Sequence, residues 1–567
     1  MNRIYRLFNV FSLGSEEDKK KIYFIIFITF ICSILEIIAI TNLYNFLNLI
    51  ANNDISSKSQ AIYSFLNIKI ENIYYFTLIC FFVFIVLSSI FRILLIKKQS
   101  FLACDFGVSL ANKTFKNILN RDYEFHITKN SSEYLSAIVN KINDVTNKCL
   151  IPIINVFSSF ILLFFMMLTL LVIEPIPSIV TISILTLVYL LIASFFKKKM
   201  LSYGQLMSKR YSEIIKFLQE TFQGIRDVII SGNEKEKINE YLQLDKSLRL
   251  AQANVNYISA FPRYVVETVI IILIGVVVVV FYENNINDII PIAGTMVVVM
   301  QRSLPMFNQI YASVNSFRSG KAALEDLRPY FEAVEDNNDL NNNKKFLFKE
   351  KIEFCNINYS YPQTSKKIFH NLSLKIIKNK FYGIRGITGA GKSTFVDLFS
   401  GLLKNYDGKI FIDDKLLDKD NNKLWQKNIS YISQKLFLYD DSLLNNLTNF
   451  HEHDFDEKKL FEILKMVNLQ EFINKLPNKL NTIVGENAIK LSGGQRQRIS
   501  LAKAIYADKP VLILDEATNA LDEKTENNIL NNIKRLNKTI IMITHSSDNL
   551  KLCDHIIEIN SNDTFLK

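Results

Sequence analysis

The chain has 567 residues, of which 49% are hydrophobic and only 21% are charged. That composition is too apolar for a disordered protein and unusual for a wholly soluble enzyme, and 17 glycines and 10 prolines exclude a collagen-like chain. The net charge of +11 suits either a nucleic-acid-binding protein or a membrane protein with basic flanks, so the positions of the charges decide between these classes.

Six apolar segments lie within residues 1–330. A transmembrane helix needs about 20 apolar residues to cross the hydrocarbon layer. Five segments meet this length easily, and the sixth is interrupted by Arg302 and Pro305. We therefore predict an α-helical six-span membrane domain over residues 1–330, a linker over 331–345 and a soluble domain over 346–567. The six segments are Ile22–Ile40, Ile73–Ile96, Cys149–Ile173, Ile176–Phe196, Tyr264–Tyr282 and Ile289–Tyr311.

Basic residues flank the spans on one side. Lys19–Lys21 precede the first span, Lys97–Lys98 follow the second and Lys197–Lys199 follow the fourth. Since such residues stay in the cytoplasm, we predict a multi-pass plasma-membrane protein with both termini, both long helical connections and the soluble domain inside. Nucleic-acid binding is not expected. Around Ile62, Phe65 and Leu66 the outer loop is either an ordinary loop or a short amphipathic helix at the membrane surface, and both interpretations stay open.

The soluble domain alternates short β-like runs with helical segments. This alternation predicts an α/β domain with a largely parallel sheet. The runs are Lys351–Phe354, Lys380–Ile384, Val511–Leu514 and Thr539–Thr544.

A phosphate-binding motif follows the second of these runs. Gly386–Ser393 fits G-x-x-x-x-G-K-[ST] between a strand and a helix, the context this motif requires. Its glycines let backbone N–H groups converge on phosphate oxygens at a helix N-terminus, with Lys392 on the β and γ phosphates and Ser393 on Mg²⁺. The predicted phosphate-contacting residues are Gly386, Thr388, Gly389, Ala390, Gly391, Lys392, Ser393 and Thr394.

Two carboxylates end the strand Val511–Leu514. We predict that Asp515 holds Mg²⁺ and that Glu516 positions the attacking water, because phosphoryl transfer depends on positioning and charge stabilisation. Upstream, Leu491–Gln495 reads Leu-Ser-Gly-Gly-Gln and starts a helical segment, which makes a second anion-binding helix N-terminus.

Leu491–Gln495 resembles the signature motif of ATP-binding cassette (ABC) transporters, and the other motifs follow in that family's order. The resemblance implies an α/β P-loop NTPase cassette fused to an exporter-type membrane domain, with ATP and Mg²⁺ as cofactors and Ser393, Gln434 and Asp515 near the metal. It also implies a dimer, because ATP is held between one cassette and the signature of another. With every motif intact, a homodimer is the expected form. The further residues that the resemblance assigns are Tyr361 at adenine, Ser492, Gly493, Gly494 and Gln495 in the signature, Asp522 in the D-loop, His545 as the switch histidine and Gly485–Glu486 in the loop before the signature.

Two cytoplasmic segments, Tyr123–Glu133 and Gly224–Glu234, resemble the coupling loops of the same exporters. Within the spans, Arg92, Arg263 and Arg302 are candidates for binding an anionic cargo, since the guanidinium group suits phosphate. For Arg92 and Arg263, snorkelling to the interface is the alternative.

The layout is similar to bacterial lipid-linked oligosaccharide flippases, which makes a polyprenyl-pyrophosphate glycan the leading cargo. A peptide or drug exporter is the alternative, and an ABC-type channel or regulatory receptor is a further one.

Overall fold

The computed structural model describes residues 16–52, 70–173, 175–281, 286–331, 346–361, 367–419, 421–450, 455–485, 488, 490–560 and 564–566. Residues 1–121 and 128–334 form one compact unit, and residues 122–127 and 335–567 form a second. The outer-loop segment around Ile62, linker residues 332–345 and Glu486 lie outside the described residues.

The first unit consists of long helices. Their surfaces carry exposed apolar residues such as Phe27, Ile93 and Leu190, as expected for helices that face lipid. Six are long and apolar enough to cross a membrane, which confirms the predicted number of spans. The helices are α1 (Glu16–Asn52), α2 (Ile70–Leu119), α4 (Ser131–Ile173), α5 (Pro175–Gln223), α7 (Glu234–Phe281) and α8 (Ile286–Phe331), with the short helices α3 (Tyr123–Thr128, in the second unit) and α6 (Ile225–Ser231) between them.

The long polar connections are continuous with the spans. Helix α2 continues past the apolar segment to Leu119, and α5 continues to Gln223. Helix α4 contains two π-helical turns, Ser136–Lys141 and Thr146–Leu150. Helix α8 passes through Arg302 and Pro305 without ending, because a packed membrane helix can satisfy the backbone groups that a proline frees.

The second unit contains two sheets. The larger one has six strands in the order β10-β9-β3-β8-β7-β6, parallel except for β10, which confirms the predicted α/β class. The smaller sheet, β2-β1-β4-β5, is antiparallel and was not predicted. The strands are β1 (Lys351–Tyr359), β2 (Phe369–Ile377), β3 (Phe381–Arg385), β4 (Asp407–Ile412), β5 (Lys415–Leu416), β6 (Ile429–Ile432), β7 (Val511–Asp515), β8 (Thr539–Ile543), β9 (His555–Ile559) and β10 (Thr564–Leu566).

The parallel sheet is buried on both faces. Leu512 and Leu514 of β7 pack into one apolar core, and Ile513 between them packs into another. This explains why the strand is a continuous apolar run in the sequence. The helices of this unit are α9 (Lys392–Phe399), α10 (Asn422–Gln426), α11 (Leu443–Thr448), α12 (Glu457–Met466), α13 (Gln470–Lys475), α14 (Gly493–Tyr506), α15 (Glu523–Lys534) and α16 (Ser547–Lys551).

The strand register places the functional segments at one edge. Ile543, at the end of β8, lies beside Ile384 of β3 and beside Asp515 of β7. The loops that follow these three strands therefore emerge together, at the carboxyl edge where parallel sheets bind their ligands.

Candidate nucleotide and cargo sites

The phosphate loop joins β3 to α9. Gly389 and Gly391 have φ angles of 82° and 102°, in the left-handed region that favours glycine. A Cβ at Gly386 would lie 2.3 Å from a backbone carbonyl oxygen, so only glycine fits there. The Lys392 Nζ donates to the carbonyl oxygens of Gly386 and Ile387 at 2.8 and 3.2 Å. The lysine is thus folded across the loop, with its ammonium group at the predicted phosphate site.

Two acidic residues lie beneath this loop. Asp515 is buried at the end of β7, and its Oδ2 accepts a hydrogen bond from the Tyr431 hydroxyl at 3.2 Å. Burial raises the pKa of Asp515. Burial, and then the charge of Asp515, raise the pKa of Asp397 to about 6. Two buried carboxylates, one of which raises the pKa of the other, form a site with an excess of negative charge, which suits a divalent cation.

The residues near this excess charge fit Mg²⁺. This ion prefers oxygen ligands and is usually held by one or two carboxylates together with phosphate oxygens rather than by a protein cage. Asp515 would supply the carboxylate and Ser393, in the first turn of α9, the hydroxyl. The described part of the chain contains no cluster of three or more His, Cys, Asp or Glu side chains that could hold a metal ion.

Glu516 follows Asp515 and is the centre of a hydrogen-bonded group. Its Oε2 accepts from the Gln434 amide at 2.8 Å and from the Asn519 amide at 3.0 Å. The His545 Nε2 lies 3.5 Å from its Oε1. The backbone of Glu516 has φ 51°, a left-handed conformation that is strained for a residue with a side chain and is concentrated at functional sites. The structure therefore brings together Glu516, Gln434 and His545, which were predicted from separate motifs.

Two further side chains of the predicted nucleotide site, Tyr361 and Asp522, have local partners. The Tyr361 hydroxyl lies 3.3 Å from the Thr394 hydroxyl, which places the aromatic ring beside α9. Asp522 caps α15 by accepting from the Thr525 backbone N–H at 3.0 Å, and this hydrogen bond lowers the pKa of Asp522.

The signature segment forms the start of α14. Ser492 and Gln495 make a capping box, in which each side chain bonds to the backbone N–H of the other residue at 3.2 and 2.8 Å. Further along α14, Gln497 accepts from the backbone N–H of Ala520 at 2.8 Å. Within the described residues no hydrogen bond or ion pair connects Ser492–Gln495 to the phosphate loop.

Family comparison agrees with this geometry. A model of the ABC transporter transmembrane region matches residues 22–304, and a model of the ABC transporter cassette matches residues 369–519. Together the two models match most of the chain, in the order membrane region and then cassette.

The chain belongs to the ABC transporter family.

The relatives within this family include lipid flippases. The chain is 27% identical over 373 residues to the ATP-dependent lipid A-core flippases of Escherichia coli K12 and Salmonella typhimurium. The alignments span 63% of this chain and 63% of each relative. A bacterial Atm1-family ABC exporter solved with ATP bound has the same fold, with a TM-score of 0.78, 18% identity and coverage of 96% of this chain and 94% of that one. The chain is thus a multi-pass membrane protein with the fold of an ABC exporter.

Sequence reasoning missed several residues of the ABC cassette site. The Tyr431 hydroxyl donates to Asp515 and the Asn519 amide donates to Glu516. Asp397 lies close enough to Asp515 for the charge of Asp515 to raise its pKa. Asp397 had a usable signal, because it lies four residues after Ser393 and positions i and i+4 share one face of a helix. Tyr431 had none, since a tyrosine in a strand is ordinarily read as core.

The start of the first coupling segment, residues 123–127, belongs to the same compact unit as the cassette. Glu124 of α3 is buried, and its Oε1 accepts from the backbone N–H groups of Lys404 and Asn405 at 3.3 Å each. Its second oxygen accepts from the Asn405 side chain, and Asp122 pairs with Lys404. Neighbouring Tyr123 has its pKa raised by burial and then by the charge of Asp397. Helix α3 is therefore anchored in the cassette close to the acidic pair.

The three arginines predicted to bind cargo do not form one cluster of unpaired positive charge. Arg92 on α2 and Arg302 on α8 approach the same oxygen, Oε1 of Glu36 on α1, at 3.1 and 3.4 Å. The Ser88 hydroxyl also donates to this oxygen, at 3.2 Å. Arg263 is exposed on α7 and makes no ion pair with Glu36. A role for Arg263 in cargo binding stays a prediction.

Glu36 is completely buried beneath the two guanidinium groups. Its side chain has no exposed surface, whereas those of Arg92 and Arg302 are 32% and 24% exposed. The buried Oε2 of Glu36 accepts no hydrogen bond from the described residues. The arrangement carries a net charge of +1, with its cationic side accessible and its anionic side enclosed.

Proposed function

We propose that the protein is an ATP-driven ABC exporter whose cargo is a lipid carrying a phosphate-bearing head, most specifically a polyprenyl-pyrophosphate glycan. The observation that carries the cargo class is the membrane-embedded pair Arg92 and Arg302 over buried Glu36. Charged groups at this depth are costly and are retained where they bind a charged ligand or partner. The flippase names of the relatives support a lipid cargo.

The cassette residues would carry out ATP hydrolysis in defined roles. Lys392 would leave its two loop carbonyls and bind phosphate oxygens, since those oxygens are stronger acceptors than neutral carbonyls. Ser393, Asp515 and Gln434 would hold Mg²⁺, which supplies neutralisation of phosphate charge. Glu516 would orient the attacking water, and His545 and Gln434 hold its carboxylate in place.

The working form would be a homodimer with cytoplasmic cassettes. Within the described residues, no hydrogen bond or ion pair joins the signature to the phosphate loop of the same chain, as a site shared by two chains requires. Helix α6, in the second coupling segment, also exposes Ile225, Ile229 and Ile230, with no buried residue of its own. An exposed apolar face of this kind is explained by a second subunit that covers it.

The cargo proposal is tested by opposite charge changes in one cluster. Arg302→Gln lowers the cluster charge from +1 to 0, and Glu36→Gln raises it to +2. Binding of undecaprenyl pyrophosphate to purified protein in nanodiscs, followed by native mass spectrometry, should weaken roughly tenfold or more in the first variant and strengthen in the second. Glu267→Gln, an exposed acid on α7, is the matched control and should bind as the wild type does.

The alternatives predict other results. A peptide or drug exporter would show no binding of the pyrophosphate lipid in any variant and no flipping of it in proteoliposomes. A lipid A-type cargo, the second candidate favoured by the relatives, would bind tightly in the same assay while undecaprenyl pyrophosphate does not. Equal changes of lipid affinity in Arg302→Gln and Glu36→Gln would show that the charge of the cluster does not control lipid binding.

A further inference from the structure

A cavity outside both sites lies between α1 and α2, where the apolar parts of the two helices end. Its volume is about 480 Å³, within the range of small-molecule sites. We call it the basic groove and define it by Lys20, Lys21, Phe24, Lys97, Lys98 and Phe101.

The lysines meet at one level because of the sequence and the antiparallel packing. Lys20 and Lys21 directly precede the first apolar segment, and Lys97 and Lys98 directly follow the second. Asp105 is the acidic residue of the lining and pairs with Lys21 at 2.6 Å. Four ammonium groups and one carboxylate give the groove a net charge of +3, which calls for an anionic ligand.

The walls of the groove are apolar. Ile25 and Leu102 are buried at its base, while the rings of Phe24 and Phe101 are 48% and 61% exposed. The apolar surface continues along the spans through exposed residues such as Phe27 and Ile93. A free phosphate or a nucleotide would leave this surface uncovered, whereas acyl chains would lie along it.

We infer that the basic groove binds an anionic phospholipid of the surrounding membrane, with the phosphate among the lysines and the acyl chains against Phe24 and Phe101. Basic pockets between membrane helices bind anionic head groups in this way, with a contribution from each lysine. A zwitterionic lipid is disfavoured, because its cationic group would face the same lysines. The inference is independent of the cargo proposal, since none of its residues belongs to the Glu36 cluster.

The test compares two lysine triplets of equal charge. One variant combines Lys20→Gln, Lys97→Gln and Lys98→Gln, which leaves the Lys21–Asp105 pair in place. The control combines Lys197→Gln, Lys198→Gln and Lys199→Gln, three exposed lysines that follow the fourth apolar segment but do not line the groove. The full-length protein is titrated in detergent with phosphatidylglycerol or phosphatidylcholine, and bound lipid is counted by native mass spectrometry.

Wild type and the control triplet should retain phosphatidylglycerol in preference to phosphatidylcholine. The groove triplet should lose roughly tenfold or more of its phosphatidylglycerol affinity, given the contribution of each lysine. Phe24→Ala removes an apolar wall without changing charge and should also weaken retention. Inorganic phosphate at millimolar concentration should not displace the lipid.

Three results would overturn the inference. An equal loss of phosphatidylglycerol affinity in both triplet variants would show that the lipid responds to the overall positive charge of the protein near the membrane rather than to the groove. Unchanged binding in the groove triplet would remove the lysines from the site. Displacement by inorganic phosphate, with no effect of Phe24→Ala, would make the groove a simple anion site.

Discussion

At the scale of single residues, Glu516 connects the parts of the proposed nucleotide site. It receives hydrogen bonds from Gln434 and Asn519, and His545 lies against its other oxygen. The strained backbone of Glu516 is maintained by its own N–H, which donates to the Ile543 carbonyl at 3.2 Å. Any change in the position of these neighbours would therefore move the carboxylate that is proposed to orient water.

We expect Glu516→Gln to retain ATP binding and to lose ATP hydrolysis about 10²–10⁴-fold, because the amide keeps the size of the side chain but cannot accept a proton. ATPase rate and nucleotide binding should be measured on the same preparation. Glu523→Gln, an exposed acid in the first turn of α15, is the control and should leave the rate unchanged. Turnover of Glu516→Gln within threefold of wild type would remove Glu516 from its assigned role.

At the scale of elements, one buried carboxylate anchors α3 in the cassette. Glu124 satisfies two backbone N–H groups that follow α9 and its loop. Because Tyr123 lies near Asp397, the same short helix is close to the carboxylates at the proposed metal site. A displacement of α3 would therefore alter the proposed metal site, and a change at the nucleotide would in turn displace α3.

We expect Glu124→Ala to preserve basal ATPase while abolishing most cargo-stimulated ATPase and transport, because the anchor of α3 is lost and two backbone donors are left without it. The measurement is ATPase with and without cargo lipid in nanodiscs. Glu133→Gln alters an acid of the same segment that pairs instead with Lys129 at 3.4 Å, and it should retain coupling. Intact stimulation in Glu124→Ala would show that α3 does not depend on this residue.

The antiparallel sheet of the cassette depends on Asp413, which accepts hydrogen bonds at 2.8–3.0 Å from the backbone N–H groups of residues 349–351. Partial burial alone would raise its pKa, but these hydrogen bonds outweigh burial and lower it below 3.8. Stabilisation from a carboxylate with a lowered folded-state pKa is present above the unfolded value and lost as pH falls through the folded value.

Asp413→Asn should therefore lower the unfolding free energy at pH 7 by about 1 kcal/mol, with the difference shrinking below about pH 4. Asparagine also tolerates the φ of 52° at this position, so the substitution removes the charge and one of the two acceptor oxygens without straining the backbone. Thermal unfolding of the full-length protein between pH 3.5 and 7 would measure it, with exposed Asp414→Asn as the control. A pH-independent difference would contradict the assignment.

At the scale of the whole molecule, one chain holds all the motifs but does not join them into one site. The phosphate loop, Asp515 and Glu516 are assembled at the edge of the parallel sheet, while the signature residues Ser492 and Gln495 bond to each other's backbone N–H groups. We expect singly expressed protein to be a dimer by light scattering. Mixed dimers of Lys392→Ala and Ser492→Arg chains should retain one intact composite site and regain ATPase that neither variant has alone. A fully active monomer would refute the shared site.

The sequence by itself determined the six spans and the cassette, and it predicted the residues of the proposed nucleotide site. Each of these depends on local patterns, namely a long apolar run, a glycine-rich loop at a strand end and a helix cap, which need no distant partner to be recognised.

Only the tertiary structure decided which distant residues became partners. Glu36 and Arg302 are far apart in the sequence, and nothing local indicates that Arg302 and Arg92 share one buried carboxylate oxygen. The antiparallel sheet, the anchoring of Glu124 and the convergence of four lysines between α1 and α2 are likewise results of packing. Burial removes water as the alternative partner, so a charged side chain in the core must find its counterpart wherever the fold places one.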